Sequence, residues 1–102
     1  MSERVKAEPK RPFIIDAIQN HILIRVAFGP RYSIEMEPHI YGIAAGGMEL
    51  LYGWVVAGPG SDDWALETID HAIVEPVQRA FKGSRSGYNR RHSQFEEIFA
   101  AL

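Results

Sequence analysis

From Ile22 to Val77 the apolar residues recur mainly at every second position, in short runs that glycine or proline interrupts. That period suits extended chain with one face buried, and it excludes a helical reading of the middle of the molecule. Ile22, Ile24, Val26 and Phe28 alternate with Leu23, Arg25 and Ala27, and Gly29-Pro30-Arg31 then turns the chain. Tyr32, Ile34 and Met36 alternate with Ser33, Glu35 and Glu37 on the return strand. Glu37-Pro38 marks a bulge or bend, because proline has no N–H to give a ladder. His39 to Ala44 extend this strand, and Ala45-Gly46-Gly47 turn it. A third strand, Met48 to Ala57, is apolar almost throughout, as a strand covered on both faces should be. After Gly58-Pro59-Gly60-Ser61-Asp62 come a fourth strand, Trp64 to Ile69, and a fifth, Ile73 to Val77. Five short antiparallel strands in a meander predict a small barrel.

Helices are expected at both ends. Pro12 suits a first helical turn, and Phe13, Ile14, Ala17, Ile18 and His21 follow at helical spacing, giving a helix over 12–20 with Asp16, Gln19 and Asn20 outward. Ser93 with Glu96 three residues on forms a capping box, and Phe95, Ile98, Phe99 and Leu102 make an apolar stripe. A terminal helix over 93–102 is therefore expected, docked on the barrel or on a second copy of the chain. Residues 1–11 read as a flexible lead-in and 12–102 as one domain, which the 102-residue length favours. The fold class is mainly β with flanking helices.

The composition narrows the class of protein. Apolar residues at 46% and charged residues at 24% fit a globular domain. There is no cysteine, which excludes disulfides, thiolate metal sites and a thiol nucleophile. No apolar run is long enough for a membrane helix, and the first residues are too charged for a signal peptide. A cytoplasmic location is the expectation.

Charge is unevenly spread although the net is only −2. No lysine or arginine occurs from Tyr32 to Gln78, a stretch holding Glu35, Glu37, Glu49, Asp62, Asp63, Glu67, Asp70 and Glu75. A basic loop over 79–92 follows, with Arg79, Lys82, Arg85, Arg90, Arg91 and His92. Such asymmetry points either to an anionic partner or to a loop folded back on the acidic strands of its own chain.

That loop is the best candidate site. Lys82, Arg85, Arg90 and Arg91 suit phosphate, Tyr88 and Phe81 offer faces for base stacking, and Gly83 and Gly87 let the backbone approach a ligand. The four histidines show no metal-ligand spacing, and His39, beside the bend and near Glu37, is either the functional one or a hydrogen-bonded structural residue. Gly58-Pro59-Gly60-Ser61 lacks the lysine of a phosphate loop. No serine lies in a nucleophile elbow, and the acidic residues suit solvated strand faces, so no catalytic residue, metal or cofactor is assigned.

Several segments together resemble the WYL domain family. They are Ile34-x-Met36-Glu37-Pro38, His39-x-Tyr41-Gly42, the Gly-Gly turn, Leu50-Leu51, Trp64-x-Leu66-x-x-Ile69-Asp70-x-x-Ile73, and the terminal Phe81-x-Gly83-x-Arg85-x-Gly87-Tyr88. The resemblance spans about residues 12–102 and is closest to small stand-alone WYL-like proteins. It implies an Sm-like barrel and a bacterial ligand-sensing or regulatory role, often with nucleic acid or nucleotides in a basic groove. Glu49-Leu50-Leu51 keeps only the leucine of the Trp-Tyr-Leu signature, and no room precedes the domain for a winged helix. With no arginine in the acidic strands, a groove has Arg25, Arg31 and the loop after Arg79 to draw on. The ligand-binding set expected is thus Arg31, His39, Lys82, Arg85, Tyr88, Arg90 and Arg91. The expected function is a non-enzymatic module that binds a nucleotide or single-stranded nucleic acid; the alternative is a homodimerisation module without a small ligand.

Overall fold

The computed structural model describes residues 7–102, so the first six residues of the expected lead-in lie outside the described residues. Its spine is β2 (Tyr32–Ile43), a twelve-residue strand that changes partner along its length. One edge of β2 pairs with β3 (Glu49–Ala57) over Glu35–Ile43. The other edge pairs first with β1 (Ile22–Gly29), up to Met36, and then, from Ile40 on, with β6 (Glu97–Ala101). β4 (Asp63–Thr68) lies outside β3, and β5 (Ile73–Ala80) lies outside β1. All pairings are antiparallel.

Two expectations are corrected. β4 and β5 end the strand order β4-β3-β2-β1-β5 without pairing with each other, so the sheet is open rather than a closed five-stranded barrel. The expected terminal helix over 93–102 is instead the strand β6. β1 stops pairing with β2 at Met36, which leaves residues 40–43 of β2 with an unpaired edge. Backbone groups beside a core need partners, and a strand supplies a whole row of them. Gly42 makes that approach possible: a Cβ there would stand 2.1 Å from the Glu97 carbonyl oxygen. The apolar side chains still find cover, with the Phe99 ring 5.3 Å from that of Tyr41.

α1 (Pro12–Gln19) forms as its sequence indicates, with proline at its start and Ile14, Ala17 and Ile18 buried. These three pack with Ile24, Val26, Ile34, Met36, Tyr41, Leu51 and Val55 into the main core, on one face of the sheet. β3 is buried along most of its length, as its continuous apolar run requires. The residues just before α1 are anchored too. The Arg11 guanidinium pairs with Glu49, which is 1% exposed, and donates to the Ala72 carbonyl oxygen at 3.0 Å. Tyr41 Oη donates to the second Glu49 oxygen at 2.5 Å and accepts the Arg11 N–H at 3.0 Å. Burial and this hydrogen bond raise the Tyr41 phenol well above its ordinary value. Among the described residues no helix is long and apolar enough to cross a membrane.

Candidate anion site

The site begins at the Glu37-Pro38 bend. Glu37 pairs with Trp54, Pro38 with Gly53 and Ile40 with Tyr52, which leaves His39 as the extra residue of a bulge. The point is also where β2 exchanges β1 for β6, so proline's missing N–H falls between two ladders. Gly53 is required opposite, since a Cβ there would lie 2.2 Å from the Glu37 carbonyl oxygen. The bulge keeps Glu37 and His39 on the face away from α1, beside Trp54 and Trp64, which are cross-strand neighbours.

Residues 81–96, with no helix or strand of their own, lie over this face as a strap. Phe81 starts it with an N–H donated to the His21 carbonyl oxygen at 2.8 Å. Arg85 then presents a fork to Glu37, Nε to Oε1 at 2.7 Å and Nη2 to Oε2 at 3.2 Å, with the guanidinium 4.7 Å above the Trp54 ring. That hydrogen bond raises the Arg85 pKa further, so the guanidinium stays charged at every accessible pH. The Arg85 backbone N–H donates to His39 Nε2 at 3.1 Å. Tyr88 Oη donates to the His39 carbonyl oxygen at 3.3 Å, and its ring stacks 6.1 Å from Trp64. Arg90 Nε donates to the Leu102 carbonyl oxygen at 2.5 Å.

Where β5 runs into the strap, a cleft of about 530 Å³ opens. Leu23, Val56 and Phe81 give it an apolar floor, while Arg79, Lys82 and Arg85 bring three cations against the single carboxylate of Glu37. Gly83 and Ser84 add backbone and hydroxyl groups at the rim. Glu37 occupies Nε and Nη2 of Arg85, and among the described residues no carboxylate lies within ion-pairing distance of Arg79 or Lys82. Both side chains are exposed. The lining of this cleft thus carries more positive than negative charge above an apolar floor.

The structure therefore brings together only part of the expected set. Lys82 and Arg85 line the cleft. Tyr88 is half-buried in the aromatic cluster, and Arg90 is tied to the Leu102 carbonyl oxygen. Arg91 is exposed on the strap, its backbone N–H held by Asn89 Oδ1 at 3.2 Å. Arg31 lies in the β1–β2 turn, at the far end of that hairpin from the Ile22–Ala80 pair beside the cleft. His39 is 0% exposed with both ring nitrogens bound by its own chain, and burial lowers its pKa. Its place is beneath the strap and not on the cleft surface. Arg79 was outside the expected set, although it is the first cation after the long acidic stretch. Among the described residues no cluster of His, Asp and Glu is arranged to hold a metal ion. Comparison with protein-family models, curated proteins and solved structures gives no match to this chain.

Proposed function

We propose that this chain is a non-enzymatic, WYL-like module whose strands form an opened version of an Sm-like small barrel. Its ligand is a nucleotide or single-stranded nucleic acid, and the cleft between β5 and the strap receives the phosphate. One observation carries this reading: Arg79 and Lys82 stand exposed beside the Phe81 floor with no carboxylate partner among the described residues, while Glu37 engages Arg85. Phosphate contacts at Arg79, Lys82 and the Gly83–Ser84 backbone would supply affinity, and a base has aromatic surface within reach. Arg85 orients the cleft wall from its ion pair.

The test is fluorescence anisotropy with a labelled oligothymidylate and competing nucleoside triphosphate at low salt. The chain should bind, and Arg79→Ala with Lys82→Ala together should weaken binding about tenfold or more, which is the loss of roughly 1.4 kcal/mol. Unchanged affinity in that double variant would refute the assignment of the cleft.

A further inference from the structure

His39 has a defined protonation state because its two neighbours leave no choice. Nδ1 lies 2.8 Å from the Glu37 carbonyl oxygen, which only accepts, so Nδ1 carries the hydrogen. Nε2 lies 3.1 Å from the Arg85 N–H, which only donates, so Nε2 is bare. The ring is fully buried between Trp64 and Tyr88, both edge-on at 4.9 Å, and Phe81 at 5.9 Å. A proton on Nε2 would set N–H against N–H and bury a charge away from water.

We infer that the strap is fastened by the unprotonated His39, so that a proton taken up at Nε2 releases residues 82–88 from the sheet while the α1-side core stays folded. The release is local because the polar bonds that tie residues 82–88 to the sheet converge on one place, whereas Asn89 and Arg90, farther along, are held separately by Tyr52 and the Leu102 carbonyl oxygen. Arg85 N–H on His39 Nε2, the Arg85 fork on Glu37 and Tyr88 Oη on the His39 carbonyl all meet at residues 37–39. The main core contains no strap residue. Gly83 and Gly87, both in the left-handed region at φ 134° and 89°, flank Arg85 and give the segment hinges.

The groups around His39 set the sign. From β2 the Glu37 carboxylate favours an imidazolium. From the strap the Arg85 guanidinium opposes it, and the Tyr88 phenol, raised by burial, stays neutral in acid. From the turn between α1 and β1, His21 opposes it across the Phe81 ring, which lies 5.4 Å from His21. Trp64 of β4 carries no charge. Burial is the largest influence and also opposes the proton, so docked His39 titrates below its ordinary value of 6.5. The undocked form takes up the proton first, and docking weakens as pH falls below about 6.5. None of this depends on what the cleft binds.

Long-range ¹H–¹⁵N correlation spectra of the full chain from pH 8 to pH 5 test the idea. At pH 8 His39 should show protonated Nδ1 and bare Nε2. Below pH 6.5 the undocked population, read by saturation transfer at the 84–88 amides, should rise up to about tenfold per pH unit. Amides of α1 and β1 should stay unchanged. His39→Gln, whose side-chain carbonyl can still accept the Arg85 N–H, should make the strap insensitive to pH, whereas His92→Gln should keep the transition. Should His39→Gln fail to fold, the wild-type spectra decide alone. A protonated Nε2 at pH 8, strap amides unmoved to pH 5, simultaneous loss of strap and core, or abolition by His92→Gln would each overturn the inference.

Discussion

The guanidinium of Arg85 meets the carboxylate of Glu37 as a two-pronged pair, with Nε 2.7 Å from Oε1, although the residues stand 48 positions apart. The partners differ in exposure: the Arg85 side chain is 42% accessible and that of Glu37 only 10%. Removing one is therefore not equivalent to removing the other. Arg85→Ala leaves a nearly buried carboxylate unpaired and should cost about 1–3 kcal/mol. Glu37→Gln leaves a cation that can turn to water and should cost about 1 kcal/mol or less, in line with half-exposed pairs. Urea denaturation midpoints of the two variants, at constant m-value, check the order.

Two glycines are expected to be far less replaceable than their backbone angles suggest. Neither Gly42 nor Gly53 has a positive φ, yet each would direct a Cβ into a neighbouring carbonyl oxygen, at 2.1 Å and 2.2 Å. The obstacles are backbone and cannot rotate away. Gly42→Ala should separate β6 from β2, and Gly53→Ala should disturb the bulge at His39. Losses of about 3 kcal/mol are expected at the upper end of overpacking effects. Amide chemical shifts of β6 and of residues 36–40, respectively, would show where each change acts.

The first five strands were legible because alternation and turn residues act locally. Tyr32 to Met36 show their buried face in sequence, and Glu37-Pro38 announces the bulge. Residues 93–102 misled because Phe95, Ile98, Phe99 and Leu102 satisfy a helical spacing that an open edge on β2 overrides. That edge exists only after β1 has stopped at Met36, a consequence of tertiary structure that no local pattern records. The basic loop was visible as a cluster of charge, but the partners of its members were not. Glu37 claims Arg85 and Leu102 claims Arg90 through contacts between residues distant in sequence, whereas Arg79 reaches the cleft because β5 continues to Ala80.

A separate prediction concerns the network at the other face. Tyr41→Phe removes the phenol that Glu49 and the Arg11 N–H share, leaving a buried carboxylate oxygen short of a donor. The cost should be about 1–3 kcal/mol in denaturant unfolding. Because the phenol is raised in the folded chain, the unfolded chain ionises first as pH rises past about 10, and stability falls from there upward. Thermal melts between pH 8 and pH 11 should show that alkaline decline reduced in Tyr41→Phe. Part of the decline will remain, since burial also raises Tyr52 and Tyr88.

The salt dependence of oligothymidylate binding tests the proposed function most directly. Contacts from Arg79 and Lys82 would release counterions, so log affinity against log salt should fall with a slope of about −1.4 for a single strand. Removing Lys82 should make the slope shallower by about 0.7. Absence of binding at 20 mM salt, or an affinity unaltered by salt, would contradict the account.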